Sequence, residues 1–279
     1  MVLVTDKEYF MEKKLKEKLD LMIKRMTGKH QQDNLILIDG DEGIGKTNMA
    51  AAICGYVSSV TNRPLTIDNI FFDLDKLIDF TIKTKEQIIW WDEGALGGLA
   101  SDWWNKNQKK FMKLLMVARK RRHFFVICIP KFFKLNEYFV VDRSIALIHV
   151  YARKNIHLGR FVYFNKTQKE YLFYDWKRSR KRNYKKFYSF HGSFVVVLGK
   201  IIDEEEYDKK KDEAILSIDN VEERIDKKTI IKEARQKAIK KILERQPKIT
   251  QKELAEIFEV ATKTIQRDFK KLDKDKETK

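Results

Sequence analysis

Residues 35–47 read LILIDGDEGIGKT, and this stretch decides how the rest of the chain is interpreted. Its first four residues form a continuous apolar run, which is typical of a buried parallel strand. The residues from Gly40 to Thr47 match the pattern G-x-x-x-x-G-K-[ST]. The Ala-rich segment 48–57 that follows has helical character. A strand, this loop and a helix, in that order, predict a loop that binds the phosphates of a nucleotide.

The residue types in this loop suit the chemistry of a triphosphate. Its glycines let successive backbone N–H groups turn inward around an anion, and the helix that follows adds its positive end. Lys46 is expected to reach the terminal phosphates, and the Thr47 hydroxyl to ligate Mg²⁺. The acidic Asp41 and Glu42 are expected to face solvent. The predicted nucleotide-binding residues are Gly40, Asp41, Glu42, Gly43, Ile44, Gly45, Lys46, Thr47 and Asn48.

A triphosphate held by magnesium needs a second carboxylate beside the loop. Asp92 and Glu93 directly follow Ile88–Trp91, which has the composition of a buried strand. We expect Asp92 to hold the magnesium ion through water, and Glu93 to act as general base on the attacking water. The alternative is that the two acids only cap the next helix or open a turn. A glutamate directly after the magnesium aspartate is typical of the hydrolysing, strand-inserted branch of P-loop enzymes.

The transferred phosphoryl group also needs positive charge near it. The candidates are Arg119, Arg121, Arg122 and Arg143. Arg143 is the first choice, because the segment that leaves strand 124–129 could carry it to the nucleotide of a neighbouring subunit. For each candidate, the alternative is a solvated surface arginine or a DNA contact.

The remaining pattern predicts an α/β fold with a mainly parallel sheet, because apolar strands alternate with helical segments. An amphipathic helix is expected at 6–27, with Leu15, Leu19, Met22 and Met26 inward and Gly28 as its stop. Residues 160–165 and 170–175 alternate around a polar turn, which predicts an edge hairpin. The further strands are expected at 70–72, 145–151 and 194–198, and the further helices at 74–83 and 105–120.

The net charge of +17 over 279 residues favours a polyanionic partner. Residues 109–122 and 177–186 are two basic runs without an acidic residue, and Trp176, Tyr184 and Phe187 accompany the second. Basic and aromatic groups together suit phosphate neutralisation and base stacking, so DNA is the expected partner. The alternatives are a solvated face or a merely Lys-rich composition. The expected contacts in these runs are Arg119, Arg121, Arg122, Arg178, Arg180 and Arg182.

The C-terminal part has the spacing of a helix-turn-helix. A support helix is expected at 229–246, with Ile230, Ile231, Ala234, Ala238 and Ile242 inward. The residues 250–253, TQKE, form a capping box that opens a helix with Leu254, Ile257 and Phe258 inward. A short break then leads to a helix that begins at Thr262 and buries Ile265, Phe269 and Leu272. The alternative is a three-helix protein-docking bundle. The outward residues of the helix that begins at Thr262 are of types that reach base edges and phosphates: Thr262, Lys263, Thr264, Gln266, Arg267 and Lys270.

Composition and boundaries complete the sequence-based picture. Hydrophobic residues make up 43% of the chain, which excludes a mainly disordered protein. Apolar runs are too short to span a bilayer, and the two cysteines, Cys54 and Cys128, lie in apolar stretches, so we expect a soluble, cytoplasmic protein with reduced thiols. The expected domains are an ATPase domain at 1–200, a charged linker at 201–228 and a helix-turn-helix domain at 229–279.

The loop, the pair Asp92-Glu93 and the stretch RKRR (119–122) followed by ICIP (127–130) and Arg143 together resemble a known family. Over residues 30–175, the chain is similar to the DNA-translocating ATPases of the FtsK–HerA group, which include zonular-occludens-toxin-like and viral packaging ATPases. That group usually has a polar sensor at the end of its fourth strand, where this chain has Pro130-Lys131.

The resemblance implies a P-loop NTPase with a RecA/AAA-like sheet, ATP and Mg²⁺ as cofactors, and a homo-oligomeric ring, often a hexamer, that moves along DNA. The expected function is ATP hydrolysis coupled to DNA translocation, packaging or remodelling, for a virus or mobile element. Two alternatives stay open. One is an ATPase like a helicase loader or transposition regulator, and the other is a non-enzymatic, ATP-gated DNA-binding regulator.

Overall fold

A computed structural model of the chain describes residues 9–28, 32–92, 110–116, 118–129, 131–153 and 157–277. In these residues eight strands form one sheet in the order β1-β8-β7-β6-β2-β5-β4-β3. The strands are β1 (Tyr9–Met11), β2 (Asn34–Asp39), β3 (Ile70–Phe71), β4 (Ile88–Trp91), β5 (Phe124–Ile129), β6 (Ala146–Arg153), β7 (His157–Asn165) and β8 (Phe190–Val196). The helices are α1 (Lys13–Thr27), α2 (Lys46–Thr61), α3 (Leu74–Lys83), α4 (residues 110–116), α5 (Lys166–Ser179), α6 (Glu204–Arg245), α7 (Gln251–Ile257) and α8 (Thr262–Glu277).

The centre of the sheet is parallel and its far side is antiparallel. β2 pairs in parallel with both β5 and β6, and β4 pairs in parallel with β5 and β3. β7, β8 and β1 extend the sheet with antiparallel pairing. Every residue of β2, β4 and β5 is buried, as expected for strands covered on both faces. The predicted α/β fold with a mainly parallel sheet is confirmed for this core.

Helix α1 contributes to the apolar layer on one face of the sheet. Leu15, Leu19, Met22 and Met26 are buried in that layer, as their spacing predicts, and Gly28 caps the helix. The helix is shorter than predicted, because residues 9–11 form β1 and pair with β8. No helix in the described parts of the chain is long and apolar enough to cross a membrane.

The predicted hairpin at 160–165 and 170–175 is wrong in its second strand, which is helix α5. Asn165 caps this helix by accepting a hydrogen bond from the Gln168 N–H at 2.9 Å. Lys169, Leu172 and Phe173 are buried, and this is the i, i+3, i+4 spacing of a helix face. The alternation in the sequence is misleading because one of the buried positions is a lysine.

The charged segment at 201–228, predicted as a linker, lies mostly in helix α6. The Asp203 carboxylate accepts from the Glu206 N–H at 3.1 Å, and acidic residues fill the first turn. Negative charge there is favourable at the positive end of the helix. Tyr207 provides the apolar anchor that the prediction missed, since its ring is only 2% exposed.

The chain divides into two compact units, Met1–Ile215 and Leu216–Lys279. The second unit contains the carboxyl-terminal part of α6 together with α7 and α8. Its core consists of buried Ile239, Leu254, Ala255 and Ile265, with partly buried apolar side chains around them.

Candidate nucleotide and DNA sites

The predicted phosphate loop joins β2 to α2, as a loop of this kind requires. Gly45 has φ 99°, a left-handed conformation that glycine adopts without strain. At Gly40 a Cβ atom would lie 2.6 Å from the Val150 carbonyl oxygen, which is closer than real Cβ contacts come. The backbone path of the loop therefore depends on glycine at both positions.

Lys46 turns back over this loop. Its Nζ donates to the Gly40 carbonyl at 2.7 Å and to the Asp41 carbonyl at 2.9 Å. The side chains of Asp41 and Glu42 are exposed, as predicted. The ammonium group is thus held at the loop by two backbone carbonyls.

Thr47 and Asp92 meet across the carboxyl edge of the sheet. The Thr47 hydroxyl donates to Asp92 Oδ2 at 2.9 Å, and Asp92 is 4% exposed. The strands that precede them, β2 and β4, are not neighbours, because β5 lies between them. A hydroxyl and a carboxylate at one point are oxygen ligands of the kind that Mg²⁺ prefers.

Tyr207 is a third member of this cluster and was missed by sequence reasoning. Its hydroxyl donates to Asp92 Oδ2 at 2.7 Å, the oxygen that Thr47 also contacts. Its ring packs on Phe72 and Trp90, with centroids 5.3 and 5.9 Å apart. Burial, with the Asp92 carboxylate beside it, raises the pKa of the Tyr207 phenol above its usual range, so the phenol stays a donor. The signal in the sequence that could have indicated a buried role for Tyr207 is its position as an aromatic residue in an otherwise charged run, EEEYDKKK at 204–211.

Of the two other predicted catalytic residues, the structure describes only Arg143, which lies away from the loop. Glu93 lies outside the described residues, as does Pro130. Arg143 is 7% exposed and forms a buried ion pair with Asp33, which directly precedes β2. Its Nη2 also donates to the Leu115 carbonyl at 3.3 Å. Since β2 runs from Asn34 to the loop, Arg143 lies at the opposite edge of the sheet, and its pairing gives it a structural role there.

The arginines of the first basic run lie at that opposite edge, just before β5. Arg121 donates to the Thr84 carbonyl at 3.0 Å, and Arg122 forms an ion pair with Glu86 at 2.6 Å. Arg119 is exposed. Two of the three arginines predicted as DNA contacts in this run therefore contact the segment that precedes β4.

The second basic run begins in the last turn of α5 and returns to the carboxyl edge. The Tyr184 hydroxyl donates to the carboxylate of Asp39, the residue directly before Gly40. Burial, and then the charge of Asp39, raise the pKa of Tyr184 above its usual range. Arg178 and Arg182 are exposed, and Arg180 places its guanidinium 5.5 Å from the Trp176 ring. This run therefore combines exposed cations with a contact to the residue directly before the predicted phosphate loop.

The C-terminal unit has the predicted helix-turn-helix geometry. The Thr250 hydroxyl accepts from the Glu253 N–H at 3.2 Å, and Glu253 accepts from the Thr250 N–H at 2.7 Å, so the capping box is present. Glu259 has φ 50° in the turn before α8. Residues 235–277 match the family model of the DeoR-like helix-turn-helix domain. This segment of the chain is therefore a helix-turn-helix domain, which suggests interaction with DNA. No curated protein matches the chain significantly.

Within this domain the inward face differs in part from the prediction. Ile231 is 61% exposed and Ala234 is exposed, whereas Gln236 and Ile239 are buried. Ile257 is also exposed, and Ala255 takes its place in the core. The face of α6 that packs on the core of this domain therefore differs from the predicted face. The buried Asp268 of α8 binds two polar side chains on the observed face. The Asp268 carboxylate accepts from Arg235 Nε at 2.7 Å and from Gln236 Nε2 at 2.8 Å.

The predicted base-reading residues whose side chains are described lie on the accessible side of α8. Ile265 is fully buried, and Phe269 is partly buried. The side chains of Lys270 and Leu272 lie outside the described part. Thr262, Lys263, Gln266 and Arg267 are exposed, and Thr264 is partly exposed.

Proposed function

We propose that this chain is a P-loop ATPase that couples ATP hydrolysis to DNA translocation, packaging or remodelling. The observation that carries the proposal is the contact of 2.9 Å between Thr47 and Asp92, which joins the loop to the end of a non-adjacent strand. The glycine-dependent loop backbone and the inserted strand β5 support it.

The residues present fit Mg²⁺ and ATP. The loop N–H groups and Lys46 would bind the phosphates, while Thr47 and Asp92 would hold the metal. When bound, magnesium supplies charge neutralisation at the β- and γ-phosphates. Glu93 would take the proton of the attacking water as general base. Tyr207 would hold Asp92 in place through its hydrogen bond. Arg143 is excluded from the proposed catalytic set because of its buried pair with Asp33.

An ATPase assay with and without duplex DNA tests this proposal. We expect DNA-stimulated hydrolysis that Lys46→Ala and Glu93→Gln abolish. Lys83→Ala is a matched control, because Lys83 is an exposed lysine that pairs with Asp79 on the same helix. Slow hydrolysis that is indifferent to DNA, or activity that survives Lys46→Ala, would count against the proposal.

The helix-turn-helix domain favours a second candidate, an ATP-gated DNA-binding regulator without motor activity. Displacement of streptavidin from biotinylated duplex DNA separates the two functions. The motor displaces streptavidin only with hydrolysable ATP, whereas a regulator or a loader binds DNA and leaves streptavidin in place.

The motor proposal includes a homo-oligomeric ring, with a hexamer as the expected form. A ring would let a residue of the neighbouring subunit supply the positive charge that Arg143 does not supply. Mass photometry with Mg²⁺, DNA and a non-hydrolysable ATP analogue is expected to show an assembly of several subunits. A monomer under all these conditions would contradict the ring.

A further inference from the structure

A cavity of about 820 Å³ opens on the same edge of the sheet as the phosphate loop. It lies between the carboxyl end of β6 and the basic segment that follows α5. Its size falls in the range of small-ligand sites. None of the catalytic residues proposed above lines it.

Aromatic rings form much of the wall of this cavity. The His149 ring stacks on Tyr184 with centroids 3.5 Å apart and planes 4° apart. It is also nearly parallel to Tyr151, at 6.4 Å and 11°. Tyr188 is 38% exposed and contacts His191 edge-on at 6.0 Å. Tyr188 and His191 are exposed, and an exposed flat ring can stack on the face of a nucleobase.

Two cations complete the lining. Arg182 and Lys185 are exposed, and neither has an ion-pair partner among the described residues. None of the described lining residues is acidic. The positive charge continues along the chain on both sides of the cavity, in the basic run 177–186. A ligand with a base in the cavity and phosphates leading away from it would suit this arrangement.

We propose that this cavity binds an unpaired nucleotide of single-stranded DNA. Unpaired bases fit better than a duplex, because in a duplex the base faces are already covered by neighbouring bases. A strand fits better than a free nucleotide, because the cations extend beyond the cavity. The proposal rests on the proposed function and goes beyond it, because it adds a contact with an unpaired strand to the duplex DNA on which that function is tested. Tyr184 joins this site to the phosphate loop through Asp39.

Fluorescence anisotropy with a labelled oligothymidylate of about ten nucleotides, without ATP, tests the site. We expect Tyr188→Ala to weaken binding about tenfold, since loss of one base–aromatic stack has this size. Tyr188→Phe keeps the ring and is expected to bind like the wild type. Tyr171→Ala is the matched control, because Tyr171 is a 55% exposed tyrosine outside the cavity.

Arg182→Ala gives a second result that does not depend on ring packing. It is expected to reduce the slope of log affinity against log salt by about one. Binding by Tyr188→Ala and Arg182→Ala within twofold of the wild type would overturn the site, as would equal weakening by Tyr171→Ala.

Two competitors identify the source of the nucleotide. Duplex DNA and AMP are each expected to compete poorly at equal nucleotide concentration. Effective competition by AMP would assign the cavity to a free mononucleotide, and effective competition by duplex would assign it to paired DNA. Either result overturns the proposal. Because ATP is absent from this assay, a wild type that binds the oligonucleotide but lacks ATPase activity would refute only the proposed function.

Discussion

Removal of a single oxygen atom from Tyr207 tests the cluster at the end of β4. The hydroxyl donates to Asp92 at 2.7 Å in a site where both residues are nearly inaccessible. Tyr207→Phe keeps the ring against Phe72 and Trp90 and removes only that donor. A hydrogen bond to a charged group contributes about 1.5–3 kcal/mol, so we expect this loss in the free energy of unfolding. For a unit of the size of Met1–Ile215, this loss of stability corresponds to a fall in Tm of about 5 °C.

Chemical denaturation of wild type, Tyr207→Phe, Asp92→Asn and the double variant measures this interaction. The double-mutant cycle is expected to give a coupling energy of at least about 1 kcal/mol, because the two side chains touch. Tyr174→Phe serves as the control, since its exposed hydroxyl bonds to Glu137 at the surface and its loss is expected to cost under about 0.5 kcal/mol. A neutral Tyr207→Phe with no coupling to Asp92 would refute the reasoning.

Three further perturbations test other parts of the first unit. Burial lowers the pKa of His123 to about 4. As the pH falls below 6.5, this histidine is therefore protonated in the unfolded chain before it is protonated in the folded chain. The free energy of unfolding is expected to drop by about 2 kcal/mol between pH 6.5 and 5. Denaturation at both pH values measures this loss, which His123→Gln is expected to lack. Arg143→Met leaves the Asp33 carboxylate buried without its partner and is expected to cost about 3–5 kcal/mol by denaturation, part of which Asp33→Asn restores. Gly40→Ala drives a methyl group against the Val150 carbonyl and is expected to cost about 1–3 kcal/mol and to weaken ATP binding, measured by denaturation and nucleotide titration.

Each of these three tests has a matched control. His191→Gln, at an exposed histidine, is expected to keep the wild-type loss of stability at low pH. Arg178→Met removes an 85% exposed side chain and is expected to stay within about 0.5 kcal/mol of wild type. Gly199→Ala places a methyl group near only the flexible side chain of Glu204. If a control changes as much as its partner variant, the corresponding explanation fails.

The strands and the loop of the candidate nucleotide site could be predicted because local sequence determines them. β2, β4 and β5 are continuous apolar runs, and such runs are buried wherever a sheet is covered on both faces. The contact between Thr47 and Asp92 could be anticipated because parallel strands end at one edge. The Thr250 capping box is equally local.

The residues that sequence reasoning placed wrongly depend on distant partners. Arg143 looked available for catalysis, but its partner Asp33 lies 110 residues away in the sequence. Tyr207 looked like part of a solvated charge run, since nothing nearby shows that its ring packs on Trp90. The helical periodicity of α5 was missed because Lys169 occupies one of its buried positions. A lysine buried against backbone carbonyls does not count as an apolar residue in a hydrophobic pattern.

Titration of the purified chain with a slowly hydrolysed ATP analogue and Mg²⁺, followed by calorimetry, tests the central claim most directly. The phosphate loop is predicted to give one saturable site per chain. Lys46→Ala is predicted to weaken binding at this site at least about tenfold, because it removes the charged ammonium group that would donate hydrogen bonds to the phosphates. Lys83→Ala is predicted to leave the affinity unchanged. Absence of binding to the wild type, or equal affinity for wild type and Lys46→Ala, would contradict the assignment of residues 40–47 as a phosphate-binding loop.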